Sequence, residues 1–132
     1  MKLLSMVKVG INGFGRIGRL AFRIGILKHR DELQFAVINT SGSLPASGWA
    51  HLVNFDTMYR QFEYKVQSTE YRAPDKVTDD DPLIGELMIP ERDVKVPVLA
   101  QRDPAKIPWG KYGAEVVIEA TGKFTNETDA RK

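Results

Sequence analysis

Residues 10–19 read GINGFGRIGR, with four glycines placed where a helix has to nucleate. A glycine in a helix interior costs about 0.5 to 1 kcal/mol relative to alanine, so Gly13, Gly15 and Gly18 together imply that another group comes close to the backbone there. Before them, Val7, Val9 and Ile11 alternate with other residues and run into Asn12-Gly13, the pattern of a short buried strand ending in a turn. From Arg16 the period changes to that of a helix. Ile17, Leu20, Ala21, Ile24 and Leu27 fall on one face and Arg16, Arg19, Arg23 and Arg30 on the other, which predicts an amphipathic helix ending near 28–30. Asp31-Glu32 turns the chain, and LQFAVIN at 33–39 predicts a second buried strand. Strand, helix and strand at this spacing make a βαβ unit with parallel strands.

In such a unit the glycines have a chemical reading. Gly13 permits the tight turn, Gly15 lets the backbone approach a pyrophosphate, and Gly18 allows the helix to pack closely on the sheet. The phosphates then face the helix N-terminus, at the amides of Arg16 and Ile17. The alternative is a glycine-rich turn that holds no ligand. A second test of the motif is an acidic residue at the end of the second strand, where it binds the ribose hydroxyls of NAD. This chain has Asn39-Thr40-Ser41 there, while Asp31 and Glu32 lie at the wrong end of the strand. Without the carboxylate nothing repels a 2′-phosphate, and the hydroxyls of Thr40 and Ser41 are candidate donors to it. NADP or dual use is therefore expected over strict NAD. The plainer alternative is that Thr40 and Ser41 cap the following loop.

The 132 residues suffice for one domain with a core, and 42% hydrophobic with 27% charged residues is a soluble globular composition. The net charge of +2 argues against a dedicated nucleic-acid binder, and the arginines of the first helix are expected to form a solvated face. There is no cysteine, hence no disulfide, thiolate metal site or thiol nucleophile, and no metal site is predicted. Neither a secretory signal nor a membrane span is legible, so a cytoplasmic location is expected, and residues 1–5 read as an optional extension before Met6.

Further along, 41–48 reads as a Ser/Gly/Pro loop and 49–55 as a short helix. Residues 62–66, 83–89 and 94–99 read as antiparallel strands inserted into the parallel pattern, and 72–81 as a solvated loop. Val116, Val117 and Ile118 predict a return to parallel strand, ended by Thr121-Gly122. Thr125 or Asn126 is placed to cap a helix whose first turn holds Glu127 and Asp129. The expected fold is α/β, a doubly wound Rossmann-type parallel sheet with an inserted short antiparallel segment, truncated at its C-terminal end. Residues 1–132 would form one incomplete NAD(P)-binding domain.

The stretches VKVGINGFGRIGR (7–19), AVIN (36–39), AHLVNFDT (50–57), QRDPAKIPWG (101–110) and VVIEATGKF (116–124) follow one another in a known order. With them the chain resembles the N-terminal, cofactor-binding part of the phosphorylating glyceraldehyde-3-phosphate dehydrogenases; the erythrose-4-phosphate dehydrogenases share these motifs. The resemblance implies that Asn12, Arg16 and Ile17 contact the pyrophosphate and that Arg102 lies beside the adenine ribose. It also implies that Thr121, Gly122 and Phe124 border the adenine and the nicotinamide ribose. Simpler roles are core packing for Phe124 and a local pair with Asp103 for Arg102.

Departures from the family pattern are informative. Aspartate usually stands where Thr40 is, and members lacking it tend to accept NADP; Arg60 replaces a turn glycine. The family's nucleophilic cysteine, histidine base and phosphate-binding residues lie beyond the matched segment, so no catalytic residue is predicted here. His29 reads as a surface residue and His51 as helix packing. The resemblance implies a cytoplasmic glycolytic homotetramer as the parent enzyme, with triose phosphate a partner only of that full enzyme. The alternative is a short non-catalytic dinucleotide-binding protein, a sensor or scaffold.

Overall fold

A computed structural model describes residues 7–28, 32–56, 60–61 and 64–121. Strand β1 (Val7–Asn12), helix α1 (Arg16–Lys28) and strand β2 (Leu33–Asn39) form the expected βαβ unit. After it come α2 (Ala46–Asn54), a ribbon of β3 (Phe55–Asp56) and β4 (Arg60–Gln61), then β5 (Gln67–Glu70), β6 (Leu83–Ile89), β7 (Val94–Leu99) and β8 (Val116–Glu119). One six-stranded sheet runs β5-β6-β7-β2-β1-β8. Its β7-β2-β1-β8 part is parallel, whereas β5 and β6 are antiparallel additions at one edge. The α/β class and the antiparallel segment follow the sequence reading, except that β7, expected among the inserted antiparallel strands, runs parallel to β2 and belongs to the parallel part. Among the described residues no helix is long and apolar enough to cross a membrane.

The larger core cluster gathers Val9, Ile11, Phe35 and Ile38 of the parallel strands, Ile84, Leu87, Val96 and Val98 of β6 and β7, and Phe22, Ile26, Trp49 and Val53 of the helices. A second cluster, Val37, Leu99 and Ile107, packs against Trp109, Tyr112 and Ala114. A bulge on β2 lets both exist. Val9 pairs with Phe35 and Gly10 with Val37, so Ala36 is unmatched and the alternation of β2 inverts there.

Four further expectations change. On α1 the buried residues are Gly18, Phe22, Arg23, Gly25 and Ile26, while Ile17 and Ile24 are 62% and 41% exposed, so the covered stripe is not the one the periodicity picked out. Arg23 in particular does not belong to a solvated arginine face: Nε and Nη2 donate to the Val53 carbonyl at 3.1 and 2.9 Å, capping the C-terminal end of α2. Helix α2 begins at Ala46, inside the expected loop, because Pro45 stands in extended backbone immediately before it. The strand expected at 62–66 is instead β5, which starts at Gln67, and Val66 is bound through its backbone to the Asn54 amide. His29, Arg30, Asp31, Phe62, Gly122, Phe124, Thr125, Asn126, Glu127 and Asp129 lie outside the described residues.

Candidate functional site

At the carboxyl ends of the four parallel strands a cavity of about 420 Å³ opens. Strand β1 ends on Asn12, and Gly13 turns the chain with φ +99°, a conformation that L side chains rarely adopt. Its amide donates to the Asn39 carbonyl at 2.9 Å, and a Cβ there would stand 2.7 Å from the Thr121 amide nitrogen. Gly15 is different, since nothing lies within 4 Å of where its Cβ would be, and it borders the cavity. Gly18 sits beneath, where a Cβ would overlap the Gly13 carbonyl oxygen. Tight turn, open approach and close helix packing are thus assigned to Gly13, Gly15 and Gly18 in turn.

A chain of side-chain hydrogen bonds crosses the four strand ends. Asn39 Oδ1 accepts from the Gln101 amide at 2.9 Å, and Asn39 Nδ2 donates to the Gln101 carbonyl at 2.9 Å and to Asn12 Oδ1 at 3.0 Å. Asn12 Nδ2 donates to Glu119 Oε2 at 2.9 Å, and the Thr121 hydroxyl donates to Glu119 Oε1 at 2.6 Å. Asn12, Asn39 and Gln101 are all buried, so these bonds satisfy groups that would otherwise be costly to desolvate.

Of the residues singled out from the sequence, Asn12, Gly13, Gly15, Asn39, Thr40, Ser41, Arg102 and Thr121 border the cavity together. Arg16 and Ile17 are exposed on the first turn of α1 and are not on its wall. Thr40 corrects an expectation: it is buried, and its hydroxyl donates to the Leu99 carbonyl at 2.9 Å while accepting from the Gly42 amide at 3.2 Å. With its one proton committed, Thr40 caps the loop and has no donor left for a phosphate. Ser41 is exposed, with Oγ 2.9 Å from Ser43 Oγ. Arg102 is exposed on the wall, and Asp103 instead accepts from the Ala105 amide at 3.0 Å, starting the turn at Pro104. His51 is exposed, its ring 5.1 Å from that of Phe55.

Sequence reasoning missed Phe14, Trp49, Gln101, Pro104, Ile107 and Ala120 on the wall. Gln101 and Pro104 flank Arg102 in the quoted QRDPAKIPWG and were legible there. Trp49 reaches the cavity only through the placement of α2, where it meets Phe14 edge-on at 6.0 Å.

Below Gln101, Asp79 accepts from Lys106 Nζ at 2.8 Å and from Gln101 Nε2 at 3.5 Å. The Lys106 ammonium, then Gln101, hold the Asp79 carboxyl below its ordinary range, and Asp79 in turn raises Lys106. Because the folded-state value is lowered, the contribution is present above the ordinary carboxylate range and is lost as pH falls through the lowered value. Asp79→Asn is therefore expected to lower Tm slightly at neutral pH and not at all in acid, with a difference that shrinks in high salt. Thermal melts of both proteins across pH and salt check this.

The family model described as "Glyceraldehyde 3-phosphate dehydrogenase, NAD binding domain" matches residues 7–127. Glyceraldehyde-3-phosphate dehydrogenase 1 of Bacillus cereus is 37% identical over 127 residues, covering 96% of this chain and 32% of the relative. Glyceraldehyde-3-phosphate dehydrogenase 1 of Streptomyces avermitilis is 40% identical over 125 residues, covering 95% and 32%, and that of Nostoc sp. is 35% identical over 129 residues, covering 98% and 32%. The chain thus spans about a third of the length of the curated relatives it matches. With the glycine turn, the strand-end cavity and the match over almost all of its length, the chain belongs to the glyceraldehyde-3-phosphate dehydrogenase family and corresponds to its NAD-binding domain.

Proposed function

We propose that this chain binds NADP as well as NAD in the strand-end cavity, as the cofactor-holding part of a phosphorylating glyceraldehyde-3-phosphate dehydrogenase. The observation that carries this reading is the rim where a 2′-substituent would lie: no carboxylate stands at Thr40, and Arg102 is exposed on the wall. Asn12 and the Gly13–Gly15 turn would hold the pyrophosphate, and Thr121 would border the riboses, with Gly122 and Phe124 following it. The bound cofactor would supply hydride acceptance; triose phosphate would meet it only in the full enzyme, a cytoplasmic homotetramer. This chain, having no cysteine, is inactive alone.

Calorimetric titration with NADP and with NAD tests the reading. NADP is expected to bind at least as tightly as NAD. Arg102→Gln should weaken NADP roughly tenfold and leave NAD nearly unchanged, because a charge-assisted bond contributes about 1.5 to 3 kcal/mol. Equal losses for both cofactors, or a clear preference of the unaltered chain for NAD, would overturn the NADP assignment. A second reading is a non-catalytic dinucleotide-binding protein. Reading the transcript past the Lys132 codon decides between them, a cysteine-bearing continuation favouring the enzyme.

A further inference from the structure

Glu119, at the carboxyl end of β8, is exposed behind the cavity wall and ends the hydrogen-bond chain that runs along it. Its Oε2 accepts from Asn12 Nδ2 at 2.9 Å, and its Oε1 accepts from the Thr121 hydroxyl at 2.6 Å and amide at 3.3 Å. An ionised carboxylate has no proton to give, so every neighbour must turn a donor towards it. With Nδ2 held there, Asn12 presents Oδ1 to Asn39, which answers with Nδ2 at 3.0 Å and keeps its own Oδ1 for the Gln101 amide at 2.9 Å. At that far end the backbone amide can only donate. The Gln101 backbone fixes Asn39 from that side, its amide donating to Oδ1 and its carbonyl accepting from Nδ2, while Asn12 is held between the Asn39 NH₂ at Oδ1 and the Glu119 carboxylate at Nδ2. Flipping Asn12, which is buried, would set its oxygen against the Glu119 carboxylate and its NH₂ against that of Asn39.

We propose that Glu119 is a positioning residue of the cofactor site, an inference that rests on the dinucleotide reading above. Acting as an acceptor, it holds the Asn12 amide at Nδ2 and keeps the Thr121 hydroxyl proton from the ligand. Its charge is not the useful property, since a carboxylate near a pyrophosphate repels it. Two variants separate these roles. Glu119→Gln keeps an oxygen for Asn12 and drops the charge, while Glu119→Met keeps the length and drops the acceptor.

The test uses the 132-residue chain. NAD affinity of Glu119→Gln should stay within about twofold of the unaltered chain or improve, whereas Glu119→Met should bind about fivefold more weakly, the effect of one lost hydrogen bond. In nitrogen-15 spectra the side-chain NH₂ protons of Asn12 should exchange faster in Glu119→Met only. Should methionine disturb the fold, Glu119→Ala read against Glu119→Gln makes the same comparison. Undiminished affinity in Glu119→Met, equal weakening in both variants, or weakening with unchanged amide exchange each overturns the proposal. If the unaltered chain binds neither NAD nor NADP, the dinucleotide reading falls, and the amide exchange alone then decides the role of Glu119.

Discussion

Gly18→Ala is expected to destabilise the chain by about 1 to 2 kcal/mol and to abolish dinucleotide binding. Two effects of opposite sign compete. Alanine is the better helix former by about 0.8 to 1 kcal/mol. Against this, the new methyl group would overlap the Gly13 carbonyl oxygen and press on Ile11 Cγ2 at 3.3 Å. The first of these is backbone and the second a fully buried side chain, so neither yields cheaply. Overpacking of this kind costs about 1 to 3 kcal/mol and at times more, and here it also moves the turn that forms the cavity wall. Gly15→Ala is the matched control, since nothing occupies the space its methyl group would enter. It should fold as well as the unaltered chain or slightly better, yet bind dinucleotide more weakly because that space belongs to the cavity. Urea unfolding followed by circular dichroism, together with calorimetric titration, separates the two outcomes. A Gly18→Ala protein as stable as Gly15→Ala would contradict the packing described here.

Asn39→Ala is expected to cost about 2 to 4 kcal/mol, because it takes partners from three groups at once. The Gln101 amide loses its acceptor, and the Gln101 carbonyl and Asn12 Oδ1 lose their donor, all within a buried region. Asn39→Asp preserves the shape and should be worse than alanine while its carboxyl is ionised. Both groups that now receive from Nδ2 are acceptors, so the new oxygen would face two others at a buried position. Denaturation midpoints of the two variants at neutral pH give the order directly. If aspartate proved the milder change, the orientation of the asparagine amides would have to be reversed.

The strands of the sheet were largely legible. VKVGIN, LQFAVIN, LIGELMI and VKVPVL are apolar runs bounded by turn residues, and each forms the strand its composition implies. Strand β5 was not legible, because QSTE carries no apolar pattern and is a strand only through its antiparallel partner β6. The misread face of α1 has a related cause. Its covered stripe contains Gly18, Gly25 and Arg23, which contribute almost nothing to a hydrophobic period. Gly25 is covered because the Phe35 ring fills the space above it, and Arg23 because α2 offers it the Val53 carbonyl. Both reasons lie in other elements. In the site, the glycine turn and the strand-end residues could be found by spacing, whereas the direction in which the Thr40 hydroxyl points depends on the Leu99 carbonyl of a strand far along the chain.

The pairing of β1 with β8 also has a consequence in time. Asn12 and Glu119 meet across a separation of 107 residues, and the Gly13 turn rests on the backbone of Thr121. Contacts of such high sequence separation are slow to form, because the chain must give up loop entropy before they reward it. During synthesis at about 5 to 20 residues per second, the glycine turn would leave the ribosome roughly 5 to 20 s before the strand that closes its cavity. Through that interval β1 has an open edge, and β2 is the first parallel strand to emerge that can occupy one of its sides. Among the described strands β8 is the last to emerge, so cofactor binding by a nascent chain would report that β8 has joined β1.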